Sequence, residues 1–294
     1  MNIYYHIDEL ARDAIVASSL KKHFKGHNFI YGNRFSTNFL LPKFYHLFDY
    51  VIIPRFSFLI PNNKIKKTKV IVLPTEAIGK LNSSDKYIFY NTFGEKFMSG
   101  DNSEDDFVFS YFLWGKQQLD AILKKYPKIS SKLHLVGHPR LDQTFSKKLT
   151  KRKNVTKIGL VSRMTHANSY DNRSIIEHLK IYKNEKYLYK KDQSSFLLNP
   201  MHDFFKDYLY LEISDFITQK NIINKLIDQD NIEIYFKVHP RENISVWNDV
   251  FSNELKSGKF FLTPWQTPFV QWCLNLDYII SPSSTSFYEA LSLK

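Results

Sequence analysis

NIEIYFKVHP, residues 231–240, alternates apolar and polar side chains along most of its length. Read as a β-strand, it places Ile232, Ile234, Phe236 and Val238 on one face and Glu233, Tyr235, Lys237 and His239 on the other. Pro240 has no N–H for a sheet ladder and ends the strand. Lys237, His239 and Arg241 therefore gather at its carboxyl end. An imidazole N–H beside cations suits a diphosphate. The rival reading is a solvated strand end with a structural histidine.

The same pattern recurs downstream. LDYIISPSSTSFYEALSLK (276–294) reads as an apolar strand, a hydroxyl-rich turn and the opening of a helix near Phe287. The turn offers Ser281, Ser283, Ser284, Thr285 and Ser286, and Ser286 with Glu289 fits a capping box. Backbone N–H groups at such a helix start can hold a phosphate without a glycine loop. Glu289, one turn in, is placed to accept from a ribose. Simple helix capping explains the same residues. Two strand ends of this kind, adjacent in a parallel sheet, would form a pocket for an anionic ligand.

Outward from these, the chain alternates strands and helices. Apolar or alternating runs at 2–7, 28–32, 49–54, 69–74 and 132–137 read as strands. Helical spacing covers 8–24, with Leu10, Ala14, Ile15 and Leu20 on one side, and 114–126. SKKLTKRKNVT (146–156) is basic and aperiodic and reads as a linker. Beyond it, KIGLVS (157–162), 231–240, 259–263 and 277–281 are strands, with helices at about 205–228, at 244–256 and from 267. Continuous apolar strands separated by helices predict a doubly wound α/β architecture. The expected domains are 1–148 and 155–294. In such sheets ligands bind beyond the carboxyl ends of the strands.

Further candidates lie at such ends. In VGHPRLD (136–142), Gly137 permits close backbone approach, and Arg140 and Asp142 supply a charge pair. That pair also suits a structural role beside the linker. In LPTEAIG (73–79), Glu76 follows a buried strand, where a carboxylate can serve as general base or nucleophile, or simply sit at a helix start. Asp8, Glu9 and Arg12 follow the first strand, and Arg163 follows the strand that opens the second domain.

Composition narrows the classes. The 294 residues suffice for two domains. The formal charge of +12 favours acidic partners such as phosphates or anionic headgroups. The lysines are scattered and no nucleic-acid-binding motif is visible, so a basic binding module is the weaker alternative. The single cysteine, Cys273, excludes an intrachain disulfide framework, and its apolar setting places it in the core. The N-terminus has no secretory pattern, and no apolar run is long enough to span a bilayer. A cytoplasmic protein is expected, with peripheral contact at the inner face of the plasma membrane.

HIDELARDAIVASSLKK, FLWGK, VGHPRLD, KIGLVSR, YFKVHPRE and LDYIISPSSTSFYEAL together resemble bacterial surface carbohydrate biosynthesis proteins. These are GT-B-type glycosyltransferases related to capsule and Kdo transferases. The His-Pro and Ser-Ser-Thr arrangements are also similar to CDP-glycerol glycerophosphotransferases. The resemblance spans nearly the whole chain through short motifs. It implies two Rossmann-like domains around a cleft, an N-terminal acceptor domain and a C-terminal donor domain. It implies donor phosphates on His239, Pro240, Ser283, Ser284 and Thr285, and a catalytic acidic residue at Glu76. This chain has Pro-Thr-Glu-Ala there, where relatives commonly carry a more acidic, glycine-containing motif. The partners implied are a nucleotide-activated sugar and a glycan or lipid-linked acceptor, with no metal and no cofactor beyond the donor. The relatives' fold continues past the Ser/Thr-turn helix, so the C-terminal domain is expected to be incomplete.

Overall fold

The computed structural model describes residues 1–58, 65, 67–75, 92, 107–143, 155–175, 177–178, 198–282 and 285–293. The chain divides into two units, Met1–Phe145 and Ser146–Lys294. Among the described residues each unit holds one parallel sheet. The linker reading at 146–156 falls largely outside them.

In the first unit the strands are β1 (Asn2–His6), β2 (Asn28–Gly32), β3 (Tyr50–Ile53), β4 (Lys69–Val72), β5 (Val108–Leu113) and β6 (Leu133–Leu135). Their order is β2-β1-β3-β4-β5-β6. The central strands are buried on both faces, as their unbroken apolar runs require. Tyr4, Val51, Ile53, Val70 and Val72 enter one core, and Ile3, Tyr5 and Ile52 enter the other, with Val16 and Ala17 of helix α1 (Leu10–His23). The expected stripe on α1 is displaced: Leu10 is 66% exposed, and Asp13, Val16 and Ala17 face inward. Asp13 turns the helix, because its carboxylate accepts the Asp8 and Glu9 backbone N–H groups at 2.9 Å each. The edge strand β6 is shorter than its apolar run. A 3-10 turn holds Lys132 before it, and Gly137 after it adopts φ 80°, a conformation costly for other residues.

Between β2 and β3 runs a helical stretch, a π-turn (Ser36–Leu40), α2 (Leu41–Phe44) and a 3-10 turn (Tyr45–Leu47). Helix α3 (Lys116–Lys125) follows β5.

In the second unit the elements are β7 (Thr156–Val161), α4 (Leu198–Leu226), β8 (Ile232–Lys237), α5 (Ile244–Val250), α6 (Ser252–Lys256), β9 (Phe260–Thr263), α7 (Phe269–Cys273), β10 (Tyr278–Ile280) and α8 (Thr285–Leu291). The order is β10-β7-β8-β9. The alternation of β8 is real: Ile234, Phe236 and Val238 pack with Trp247, Phe251 and Phe260. On the opposite face Val161 packs with Trp272, buried Cys273 and Leu276. Gly159 permits that packing, because a Cβ there would overlap Trp272 and Leu276. The expected helix at 244–256 is two helices, broken at Phe251, whose backbone leaves helical geometry at φ −107°, ψ 23°. The expected capping box is also displaced. Helix α8 starts at Thr285, so Ser286 lies inside it, its Oγ 3.3 Å from Ser281 Oγ.

Each sheet has one place where strand order reverses. In the first unit it lies between β1 and β3, in the second between β7 and β10. Crevices at such reversals, beyond the carboxyl ends, are where these sheets take ligands.

Candidate functional site

At the carboxyl end of β8 the chain turns through His239, Pro240 and Arg241. The Arg241 backbone N–H donates to His239 Nδ1 at 3.1 Å. That bond fixes the neutral tautomer, so the His239 proton resides on Nε2, the atom able to donate to a phosphate oxygen. Lys237 is not part of this exposed set. It is 6% exposed and donates to the Pro264 carbonyl at 2.5 Å. Burial pushes its pKa down to about 8.

Glu242, the next residue, organises the turn. It is 1% exposed and accepts from the Met164 N–H at 2.5 Å, the Trp247 Nε1–H at 2.9 Å and, weakly, the His239 N–H at 3.4 Å. Burial pushes its pKa up to about 7, against the pull of these donors. The loop after β7 is thereby tied to the His239 turn. Further bonds join the two: Tyr170 N–H to the Arg241 carbonyl at 2.8 Å, and Asn168 Nδ2 to the Asn243 carbonyl at 3.0 Å.

The far side of the β7 loop is held by Glu212 on α4. Its buried carboxylate accepts the Ala167 N–H at 3.0 Å, the His166 N–H at 3.2 Å, Thr165 Oγ1 at 3.1 Å and His166 Nδ1 at 3.0 Å. Burial opposes its charge, but these donors prevail and hold its pKa below the usual value. Arg163 lies in this loop and faces Asp215, whose carboxyl is raised by burial and drawn back by that guanidinium. Ile280 pairs with Leu160, so Ser281 follows β10 beside the β7 loop. Arg163, His239, Pro240, Arg241 and Ser281 thus stand at the carboxyl end of one sheet, but the two strand ends expected to be adjacent are not: β7 lies between β8 and β10, so its loop separates the His239 turn from Ser281. Glu289 is buried on α8 near Cys273 rather than open to a ribose. Ser283 and Ser284 lie outside the described residues, as do the side chain of Thr285 and all of Glu76.

In the first unit the reversal carries a histidine that sequence reasoning missed. His6, the last residue of β1, is buried and stacked on Phe58 at 4.7 Å between centroids. Its Nδ1 meets Thr37 Oγ1 at 2.5 Å, and its Nε2 lies 3.9 Å from Asp8 Oδ1. Asp8 is therefore at this point, with Glu9 beside it. Nothing is described of the Arg12 side chain. At the end of β6, Arg140 N–H donates to Nδ1 of buried His138 at 3.1 Å. Gly137 precedes this turn and exposed Asp142 follows it. Among the described residues no cluster of three or more His, Cys, Asp or Glu could hold a metal ion.

The fold is the GT-B class of paired Rossmann-like units. The chain is similar to the Staphylococcus aureus protein MnaA solved with UDP, at 11% identity and TM-score 0.51, over 96% of this chain and 74% of that one. It is similar to a variant of the wall teichoic acid polymerase TagF soaked with CDPG, at 11% identity and TM-score 0.51, over 99% of this chain and 67% of that one. No protein-family model and no curated protein matches the sequence. At these identities the likeness establishes the fold, and function rests on the site.

Proposed function

We propose that the protein is a glycosyltransferase that moves a sugar from a nucleotide-activated donor to a surface polysaccharide or lipid-linked acceptor. The observation that carries this reading is the pair of loops that follow the neighbouring strands β7 and β8. The Arg163–Ala167 loop and the His239–Arg241 turn are locked together by buried Glu242, with Nε2–H of His239 as a directed donor. A departing nucleotide diphosphate develops charge, and preorganised donors and cations stabilise it most where water is excluded. Arg163, Arg241, His239 and the hydroxyl groups of residues 281–286 supply that environment. Glu76 or Asp142 activates the acceptor, and Asp8, Glu9, Arg12, Gly137 and Arg140 lie on the acceptor side. No metal is required for this division of labour.

Titration with CMP, CDP, UDP and GDP, followed by calorimetry, tests the reading and identifies the base. Replacing His239 by Ala removes one directed hydrogen bond and should weaken diphosphate binding about tenfold. Unchanged affinity in that variant would remove His239 from the site. A second reading, transfer of a polyol phosphate from a CDP-alcohol, is favoured by the similarity to the TagF structure soaked with CDPG. Product analysis with CDP-glycerol against CMP-Kdo and UDP-sugars separates the two.

A further inference from the structure

The helical stretch between β2 and β3 has its apolar side facing outward. Thr37, Leu41 and Tyr45, at four-residue spacing, are buried. They are anchored: Thr37 Oγ1 bonds Tyr4 OH at 2.8 Å and His6 Nδ1, and the Tyr45 carbonyl accepts from Thr68 Oγ1 at 2.7 Å. The stretch therefore cannot roll its other face inward. That other face carries Phe35 and Phe39, 62% and 61% exposed, with Leu40, Phe44 and Leu47 at 44%, 46% and 52%. The Phe35 and Phe39 rings touch at 5.0 Å, so the exposed groups are clustered rather than scattered. Clustered apolar surface of this kind marks an interaction site.

The charge along the patch is predominantly positive; Asp49, at its edge, accepts the Asn2 N–H at 2.7 Å. From Ala14 to Phe48 there is no Asp or Glu, whereas Lys21, Lys22, Lys25, Arg34 and Lys43 are all present. Each of these cations is exposed. Lys21 lines the same open groove as Ile30 and Leu47, so this cation borders the apolar face directly. Aromatic groups that can enter an acyl boundary, bordered mostly by cations, complement an anionic lipid surface. No described helix is long and apolar enough to cross a membrane.

We infer that the outer face of residues 35–47 docks on anionic bilayers, with Phe35, Phe39, Leu40, Phe44 and Leu47 in the interface and Lys21, Arg34 and Lys43 on the headgroups. The inference stands apart from the donor-site reading and fails separately from it.

The full chain is sedimented with vesicles of phosphatidylcholine and phosphatidylglycerol at 3:1, and with phosphatidylcholine alone, at low and high salt. Binding to the anionic vesicles, weakened by salt and negligible on the neutral ones, is expected. The double variant Phe39→Ser/Phe44→Ser should lose at least tenfold in partitioning, and Lys43→Glu a few-fold, with circular dichroism and nucleotide titration unchanged. These side chains are exposed, so the fold tolerates their loss. Wild-type protein that stays in the supernatant, or a double variant that binds as wild type, overturns the inference. So does a concentration-dependent dimer abolished by the same double variant, since a second copy would then be the occupant.

Discussion

Glu242 is nearly enclosed, and its carboxylate is the acceptor on which two loops converge. Burial raises its pKa from 4.5 to about 7. A carboxyl with a raised pKa binds a proton more tightly folded than unfolded. Its contribution to stability is complete below about pH 4.5 and is lost as pH rises through about 7. At about 1.4 kcal/mol per pH unit, the loss across that window is about 3 kcal/mol. Urea midpoints measured from pH 5 to 8 should therefore fall for the wild type and fall much less for Glu242→Gln, which cannot titrate. Parallel curves would show that the carboxyl does not titrate in that window. The residue was overlooked because its neighbours in sequence, Arg241 and Asn243, give it the look of a solvated turn. Only the partners Met164 and Trp247, drawn in by the fold, make it a hub.

Two strands in different units end in the same element, a His-Pro-Arg turn with the arginine N–H on histidine Nδ1 at 3.1 Å. Proline fixes the middle of the turn, which brings the third residue back over the imidazole. This much was legible, because a strand followed by His-Pro states its own end. The continuous runs at β3 and β4 were legible for the same local reason. Strand β5 was not read as one: Ser110 sits 3% exposed in the middle of it and breaks the apolar run. The anchor on the β7 loop was invisible too, since Glu212 lies 46 residues from His166 along the chain. Replacing Glu212 by Gln puts an amide N–H₂ against groups that all donate. Amide exchange at His166 and Ala167 should then accelerate at least tenfold, with the Arg241 amide little changed. Equal acceleration at both would mean that Glu212 stabilises the whole unit rather than this loop.

At the scale of the chain, each unit closes its own cores. Those of the first unit draw on residues 3–129, and those of the second on residues 160–293. The loops after β7 and β8 are anchored on Glu212, Glu242 and Trp247, which belong to the second unit. A fragment of residues 146–294 is therefore expected to unfold cooperatively by itself and, on the proposed function, to bind a nucleoside diphosphate within about tenfold of the full chain, since the residues proposed to hold the diphosphate belong to it. The fragment 1–145 should fold and bind none. Heating curves followed by circular dichroism establish folding, and calorimetric titration of both fragments reads binding. A folded 146–294 fragment that binds no nucleotide would move the donor phosphates away from the His239 turn. Binding by 1–145 instead would transfer the site to the His6 reversal, where buried imidazole, Thr37 and Asp8 already lie together.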